Sequence, residues 1–233
     1  MLLAWSAALA LMAPPAIEPL VDPLVDGAIG VAVGVASGVL FVLHDDLVSR
    51  GCPCDRDEAP GFERFAVDGR LGYAEQVADA TLGVSLLAPA AVLAATAPDD
   101  AALLEDLVLV YQSAAFAGLL TQIAKTSVGR PYPFMLSREA TAGQAQSGAN
   151  YASFWSGHTA VPMAAAVTLG VLIERRHPHA RWRWLVWAVG PALALSAGAW
   201  QVAAANHYPS DVLVGGAVGA AVGALNPLIH GAF

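Results

Sequence analysis

Long apolar stretches separated by short polar segments dominate the pattern of this chain. Few charged residues interrupt six of these stretches: 27–43, 74–97, 101–124, 159–173, 182–200 and 212–229. Several approach the roughly 20 residues that a helix needs to cross a bilayer. The pattern therefore predicts an all-α fold, an integral membrane bundle of about six transmembrane helices with its functional site at one membrane face.

The composition supports the membrane class. Apolar residues make up 57% of the 233 residues and charged residues 13%, and the mean hydropathy is +0.57, outside the usual globular balance. A soluble helical bundle would need more polar sequence to cover so many apolar helices. We therefore expect one integral membrane domain over residues 1–233. The net charge of −8 is spread through the loops, and we expect no nucleic-acid partner.

The N-terminal segment, residues 1–20, is apolar, but Pro14 and Pro15 interrupt it and no basic region precedes it. It resembles a signal peptide only weakly. We expect an uncleaved interfacial or signal-like segment.

A polar external loop is predicted over residues 44–73. It contains the two cysteines of the chain, Cys52 and Cys54, which one proline separates. A disulfide across a single residue is strained, and a metal site would need further ligands, of which His44 is the nearest. We expect Cys52 and Cys54 to be two thiols or a local disulfide with no role in catalysis. We expect neither a metal nor a cofactor.

Small residues dominate the last apolar stretch, where Gly215, Gly216, Gly219 and Gly223 lie among alanines. No strand precedes them, so a nucleotide-binding loop has no structural context here. Small residues let helices approach one another closely in membranes. We interpret this stretch as a packing face.

Three short polar clusters interrupt the apolar pattern in the second half of the chain. They are KTSVGRPYP at 125–133, SFWSGH at 153–158 and NHYPSD at 206–211. Together they supply two histidines, a carboxylate, cations and a Ser-Gly turn, which are the groups needed to bind an oxyanion, attack it and protonate a leaving group. The combination predicts phosphoryl transfer at a membrane, with the catalytic motifs inside residues 125–211.

The third cluster places His207 and Asp211 four residues apart, on one face of a helical turn. The carboxylate can hold the imidazole tautomer while the other ring nitrogen attacks. Asp211 could instead simply cap a helix that begins near Val212.

The second cluster places Ser156 and Gly157 directly before His158 and a predicted helix. Free N–H groups at a helix start, with the Ser hydroxyl, form an anion site. His158 beside it could protonate a leaving oxygen. The alternative is an interfacial histidine, with Trp155 as a membrane-belt residue.

In the first cluster, Lys125 ends a predicted helix and Arg130 precedes a proline, so two cations face the same aqueous boundary. Each could anchor a lipid headgroup. The complementary roles of the three clusters favour a shared site instead.

The segment from Glu174 to Arg183 determines the predicted orientation. It also holds Arg175, Arg176 and Arg181, with Glu174 as its only acid, and such basic loops tend to remain cytoplasmic. Counting helices from this loop places the three polar clusters on the opposite, periplasmic or external, face.

These motifs resemble the type 2 phosphatidic acid phosphatase family, which is related to vanadium haloperoxidases and whose signature is KxxxxxxRP, PSGH and SRxxxxxHxxxD. The resemblance spans residues 125–211 and includes the order of the motifs and the six-helix frame. It implies that His207 is the nucleophile, that Asp211 orients it and that His158 is the acid.

The resemblance also implies the phosphate-binding residues. Lys125 matches the lysine of the first motif, and Ser156 and Gly157 match the anion-binding turn. Tyr132 and Gln201 stand at the positions of the two family arginines and offer only uncharged donors to phosphate.

Two further features qualify the match. Trp155 replaces the proline of PSGH. Arg130 lies two residues before Tyr132, and on an extended segment both side chains point to one face. We therefore expect Arg130 to bind phosphate in place of a family arginine.

The implied function is a membrane phosphatase that hydrolyses a lipid phosphate or prenyl diphosphate through a phosphohistidine, in a bacterial inner membrane with the site facing the periplasm or exterior. The alternative is a catalytically impaired member that binds lipid phosphates or a protein partner, as Tyr132 and Gln201 suggest. A carrier or structural helical protein and a vanadate-dependent oxidase are further alternatives.

Overall fold

The fold is helical throughout the described part of the chain. The computed structural model describes residues 21–48, 55, 57, 59–137 and 140–232, and in these residues it contains eight α-helices and no strand. The helices are α1 (Pro23–Leu47), α2 (Phe65–Asp68), α3 (Ala74–Thr96), α4 (Asp100–Val128), α5 (Ala142–Gln146), α6 (Gly157–Arg176), α7 (Arg183–Ala203) and α8 (Pro209–Ile229). The prediction of an all-α fold is confirmed.

Six of these helices, α1, α3, α4, α6, α7 and α8, are long and apolar enough to cross a membrane. They correspond to the six apolar stretches, so the predicted number of spanning helices is confirmed. One boundary was wrong: α1 continues to Leu47, and His44 is a buried helical residue instead of the start of the polar loop. Residues 1–20, Cys52 and Cys54 lie outside the described residues.

Helix α6 is the centre of the bundle. It packs against α3, α4, α7 and α8, and its side chains from Thr159 to Ile173 are almost all buried. Helix α1 lies outside, against α4, and exposes large apolar side chains such as Phe41 and Val42. A helix that is apolar on its outer face fits a lipid environment, in which exposed apolar surface is not penalised.

Glycines allow α6 and α8 to pack at very short range. A Cβ atom would lie 2.5 Å from the Ser156 carbonyl oxygen at Gly215, 2.2 Å from the Ala160 oxygen at Gly219 and 2.5 Å from the Ala164 oxygen at Gly223. Because the three glycines are four residues apart, they form one face of α8. The interpretation of this stretch as a packing face is confirmed.

The helix ends bring the three polar clusters to one end of the bundle. Gly129, in the left-handed conformation with φ 56°, ends α4, and Pro209 occupies the first turn of α8. The Ser156 amide, just before α6, donates to the Asp211 carbonyl at 3.0 Å. The turn after α6 lies at the other end, where His177 Nε2 is 3.0 Å from the Thr96 carbonyl oxygen.

The substitution Gly219→Ala tests the close contact of α6 and α8. The added methyl cannot fit beside the Ala160 carbonyl, so we expect a loss of about 1–3 kcal/mol of unfolding free energy, measured by thermal unfolding in detergent. In the matched control Gly34→Ala, the new methyl meets no atom within 4 Å, and removal of a helical glycine should stabilise by about 0.5–1 kcal/mol. Equal unfolding midpoints for the two variants would contradict the packing account.

Candidate functional site

A buried histidine and a buried carboxylate lie at the centre of the site. The chain turns sharply after α7, with Ala205 in the left-handed region at φ 59°, and the turn directs His207 into the protein. His207 is 3% exposed and Asp211 is fully buried. His207 Nδ1 lies 3.6 Å from Asp211 Oδ2, which is longer than a hydrogen bond. The two predicted side chains therefore lie next to each other, with Nδ1 as the ring nitrogen nearest to the carboxylate.

Donors from three parts of the chain hold the Asp211 carboxylate. Asp211 Oδ2 accepts hydrogen bonds from Ser153 Oγ at 2.5 Å and from the Tyr208 amide at 2.9 Å. Its Oδ1 accepts one from Arg130 Nη1 at 2.6 Å. The helix α8 begins at Pro209 and not near Val212, so Asp211 is its third residue and not its N-cap; from there the Asp211 side chain accepts from the amide of the N-cap residue Tyr208, as in a capping box. A buried carboxylate with several donors meets the condition for remaining charged inside a protein.

Burial keeps His207 neutral. The pKa of His207 is lowered to about 4, mainly by loss of hydration; the nearby charge of Lys125 also lowers this pKa, and Asp211 acts in the opposite direction. A neutral imidazole retains the lone pair that a nucleophile needs. The surroundings of His207 therefore suit attack and not proton donation.

The second histidine has a different partner. His158 Nε2 lies 2.8 Å from Asp79 Oδ1 of α3, and both side chains are partly exposed. His158 is the second residue of α6, so it stands beside the amide groups of the first turn. His158 and Asp79 therefore form the solvent-exposed side of the site, which we call its open side, in contrast to the buried His207 and Asp211.

The Ser-Gly turn before α6 is held rigidly. Ser156 is fully buried and its Oγ accepts a hydrogen bond from Thr159 Oγ1 at 3.2 Å. Gly157 and His158 occupy the first two helical positions, where N–H groups have no acceptor within the helix. Trp155 Nε1 donates to Thr121 Oγ1 at 2.8 Å, so Trp155 is anchored to α4 by its polar atom.

Lys125 and Tyr132 approach the same centre. Lys125 Nζ donates to the Ala152 carbonyl at 2.6 Å and lies 6.0 Å from the centre of the Tyr132 ring. The Tyr132 ring meets the His207 ring edge-on at 6.1 Å. The first and third clusters are therefore in contact, with a cation close to the buried imidazole.

Arg130 is engaged by carboxylates. Besides Asp211, its guanidinium bonds to Ser210 Oγ at 2.8 Å and to Glu63 Oε2 at 2.7 Å, and its Cζ lies 3.7 Å from the centre of the Tyr208 ring. Three of its five N–H groups are thus used. The expected phosphate contact of Arg130 stays a prediction, because the observed contacts are with buried protein acids.

Gln201 occupies the position of the second family arginine and is 3% exposed. Its Oε1 accepts a hydrogen bond from Asn206 Nδ2 at 2.9 Å, and its carbonyl oxygen accepts one from the His207 amide at 3.3 Å. Gln201 therefore stabilises the turn that carries His207. Only its amide nitrogen could donate to a phosphate.

Three site residues were missed by the sequence analysis: Glu63, Asp79 and Ser153. Asp79 carried a signal, because an acid inside a membrane-spanning helix is costly and usually functional. Ser153 lay within a recognised cluster without an assigned role. Glu63 carried no signal, since it is one of several acids in a polar loop.

Comparison with known proteins identifies the family. The family model described as PAP2 superfamily matches residues 106–232, which is more than half of the chain, and the chain belongs to this superfamily. The matched segment contains all three polar clusters, in agreement with a type 2 phosphatidic acid phosphatase relationship. Neither the curated proteins nor the solved structures gave a match. Membership indicates a phosphatase that hydrolyses phosphate esters.

A histidine titration tests the state of His207. We expect its imidazole to gain a proton only as the pH falls through about 4, observed by NMR of labelled histidine in detergent with His207→Gln for assignment. Lys125→Met should raise the pKa of His207, because it removes a nearby positive charge. A His207 titration near the ordinary value of about 6.5 would contradict the account.

The lowered pKa of His207 makes the stability of the protein depend on pH. Between about pH 6.5 and pH 4 the unfolded chain binds a proton at His207 that the folded protein does not bind. The contribution of His207 to stability is therefore complete above this window and is lost as the pH falls through it.

A pair of substitutions tests the Glu63 contacts. Both carboxylate oxygens of Glu63 accept from N–H donors, Arg130 Nη2 at 2.7 Å and the Ser210 amide at 2.9 Å. In Glu63→Gln one of these donors must face an NH₂ group, so we expect a loss of about 1–3 kcal/mol in unfolding free energy. The control Asp57→Asn breaks the exposed pair with Arg64 and should change stability by less than about 1 kcal/mol. Similar effects of both variants would refute a structural role for Glu63.

Proposed function

We propose that this chain is an integral membrane phosphatase that hydrolyses a lipid phosphate or prenyl diphosphate through a phosphohistidine. The observation that carries the proposal is the buried, neutral His207, with Nδ1 facing the ionised Asp211 at 3.6 Å. His158 lies in the first turn of α6, and Lys125 lies beside the Tyr132 ring that meets His207. A nucleophile, its orienting carboxylate, an acid and a cation are the parts that phosphoryl transfer to histidine needs.

In the first step, the His207 ring nitrogen opposite Nδ1 attacks phosphorus. The phosphorus–oxygen bond to the lipid breaks, and His158 gives its proton to the leaving oxygen. The imidazole of His207 becomes positively charged, and the Asp211 carboxylate stabilises this charge through Nδ1–H. The 3.6 Å separation should shorten at this point, as catalytic contacts often do on going from the free enzyme to the transition state.

In the second step, water attacks the phosphohistidine. His158, now neutral, accepts a proton from the water, the nitrogen–phosphorus bond breaks and inorganic phosphate leaves. His207 and His158 return to their starting protonation states. Asp211 stays ionised throughout, because Arg130, Ser153 and the Tyr208 amide hold it.

The phosphate oxygens have several donors. Lys125 supplies a charge, and the free amide groups at the start of α6, Gly157 among them, supply the positive end of a helix. Ser156, Tyr132 and the amide nitrogen of Gln201 supply neutral donors. Arg130 acts mainly through Asp211, since its guanidinium already neutralises two carboxylates.

A lipid substrate is favoured by an apolar groove along the part of α3 that also carries Asp79. The groove has a volume of about 540 Å³ and lies between α3 and α7. Its lining is mainly apolar and includes Val77, Ala80, Val84 and Leu193. A phosphate on a hydrocarbon tail could keep the tail in the groove and the phosphate at the histidines. The basic turn 174–183 at the other end supports a site on the periplasmic or external face of a bacterial inner membrane.

A second candidate function is a catalytically impaired member that binds lipid phosphates or a protein partner. The observation in its favour is that Tyr132 and Gln201 replace two arginines while Arg130 is occupied by Asp211 and Glu63. Loss of one strong oxyanion donor can cost roughly 10²- to 10³-fold in rate. Under this alternative the protein binds the same lipids without releasing phosphate.

Phosphate release from purified protein in detergent separates the two functions. The panel comprises a phosphatidic acid, a phosphatidylglycerol phosphate and a prenyl diphosphate, each with wild type and with His207→Ala. We expect release by wild type and its loss, by at least about 10³-fold, in His207→Ala, because the variant lacks the proposed nucleophile. His179→Ala is the matched control, since His179 is exposed in the turn at the opposite end.

Two further results complete this test. Vanadate resembles the pentavalent phosphorus of the transition state, so it should inhibit wild type and should bind His207→Ala poorly. Lipid binding without phosphate release, in folded wild-type protein, would favour the impaired member. Release that persists in His207→Ala would reject the phosphohistidine.

A further inference from the structure

A second carboxylate–imidazole pair lies at the open side of the site. Asp79 belongs to the second turn of α3, a helix long and apolar enough to cross the membrane. Its Oδ1 is 2.8 Å from His158 Nε2. Among the described residues, His158 is the ion-pair partner of Asp79. An acid in an apolar membrane helix costs free energy and usually has a function. The direct contact of Asp79 with a histidine of the site indicates where that function lies.

The two pairs differ in their surroundings. Asp211 is fully buried and three hydrogen-bond donors other than His207 hold it, with Arg130 balancing its charge. The Asp79 side chain is 62% exposed and sits at hydrogen-bond distance from its imidazole. The charge of Asp79 is therefore available to balance an imidazolium. When two titratable groups of one site have contrasting surroundings, one can act as the nucleophile and the other as the acid.

We propose that Asp79 is a positioning residue for the acid step: it holds His158 by Nε2–H, so that Nδ1–H delivers the proton to the leaving oxygen. This inference rests on the proposed function. When the phosphorus–oxygen bond breaks, the Nδ1 proton passes to the lipid oxygen and His158 becomes neutral. Nε2–H stays bonded to Asp79, and in the second step Nδ1 recovers a proton from the attacking water.

The position of Asp79 fits the leaving group. Gln76 and Ala80, which line the apolar groove, lie within one turn of Asp79 on α3. The leaving oxygen is the atom that joins the phosphorus to the lipid tail. With the tail in the groove, this oxygen would lie close to α3, and His158 is the histidine that contacts α3, through Asp79.

The test uses two substrates with the same tail and different leaving groups, dodecyl phosphate and 4-dodecylphenyl phosphate. A phenol leaves readily without a proton, whereas an alcohol needs one, and general acid catalysis contributes about 10²- to 10⁴-fold. For Asp79→Asn we expect kcat/KM to fall by about 10- to 10²-fold on the alkyl ester and by less than about threefold on the aryl ester. Asp79→Glu should recover part of the alkyl activity.

Two controls separate positioning from damage to the fold. Asp46→Asn removes one exposed acid at the end of α1 on the same side of the bundle and should leave both substrates unchanged. In a His158→Ala background, Asp79→Asn should cause no further loss, because the two residues act as one unit.

The outcomes distinguish this inference from the proposed function. Equal losses on both esters, or a further loss in the His158→Ala background, would overturn the role of Asp79 while the phosphatase function stands. Absence of phosphate release by wild type from either ester and from the lipid panel would overturn the proposed function, and the inference with it.

Discussion

The buried carboxylate of Asp211 is the interaction on which the site depends. An ionised group inside a protein must be surrounded by donors, and here they come from three separate parts of the chain: Arg130, Ser153 and the Tyr208 amide. The requirement therefore brings the three polar clusters together. His207 faces the same carboxylate, so the group that stabilises this end of the bundle also contacts the proposed nucleophile.

The close packing of α6 and α8 makes this arrangement possible. Gly215 has no room for a side chain beside the Ser156 carbonyl, and the Ser156 amide donates to the Asp211 carbonyl. The glycine face thus sets the distance between the anion-binding turn and the Asp211 helix start. A bulkier residue would separate the two elements and move the first turn of α6 away from His207, so packing and chemistry depend on the same residues.

Charge is distributed in this site differently from the family signature. The signature places two arginines at positions that are Tyr132 and Gln201 here, whereas Arg130 faces Glu63 and Asp211. A guanidinium between two buried acids stabilises the protein and holds the carboxylate that faces His207, so under the proposed function less positive charge is left for the phosphate. Under the proposed function Lys125 then carries a larger share of phosphate binding, and the same set of residues is compatible with catalysis and with lipid binding without catalysis.

The sequence by itself determined the six membrane helices, the glycine face and the grouping of the clusters, because hydrophobic length, small-residue spacing and motif order are local properties of a chain. It also indicated the His207 and Asp211 pair, whose partners are only four residues apart. Only the tertiary structure decided the partners of Arg130, Glu63 and Asp79. These contacts join residues about 67 to 81 positions apart, and no local pattern specifies which of many acids will meet a given cation. Their pairing depends on helix packing and on the cost of burying an unpaired charge, and both are properties of the folded protein.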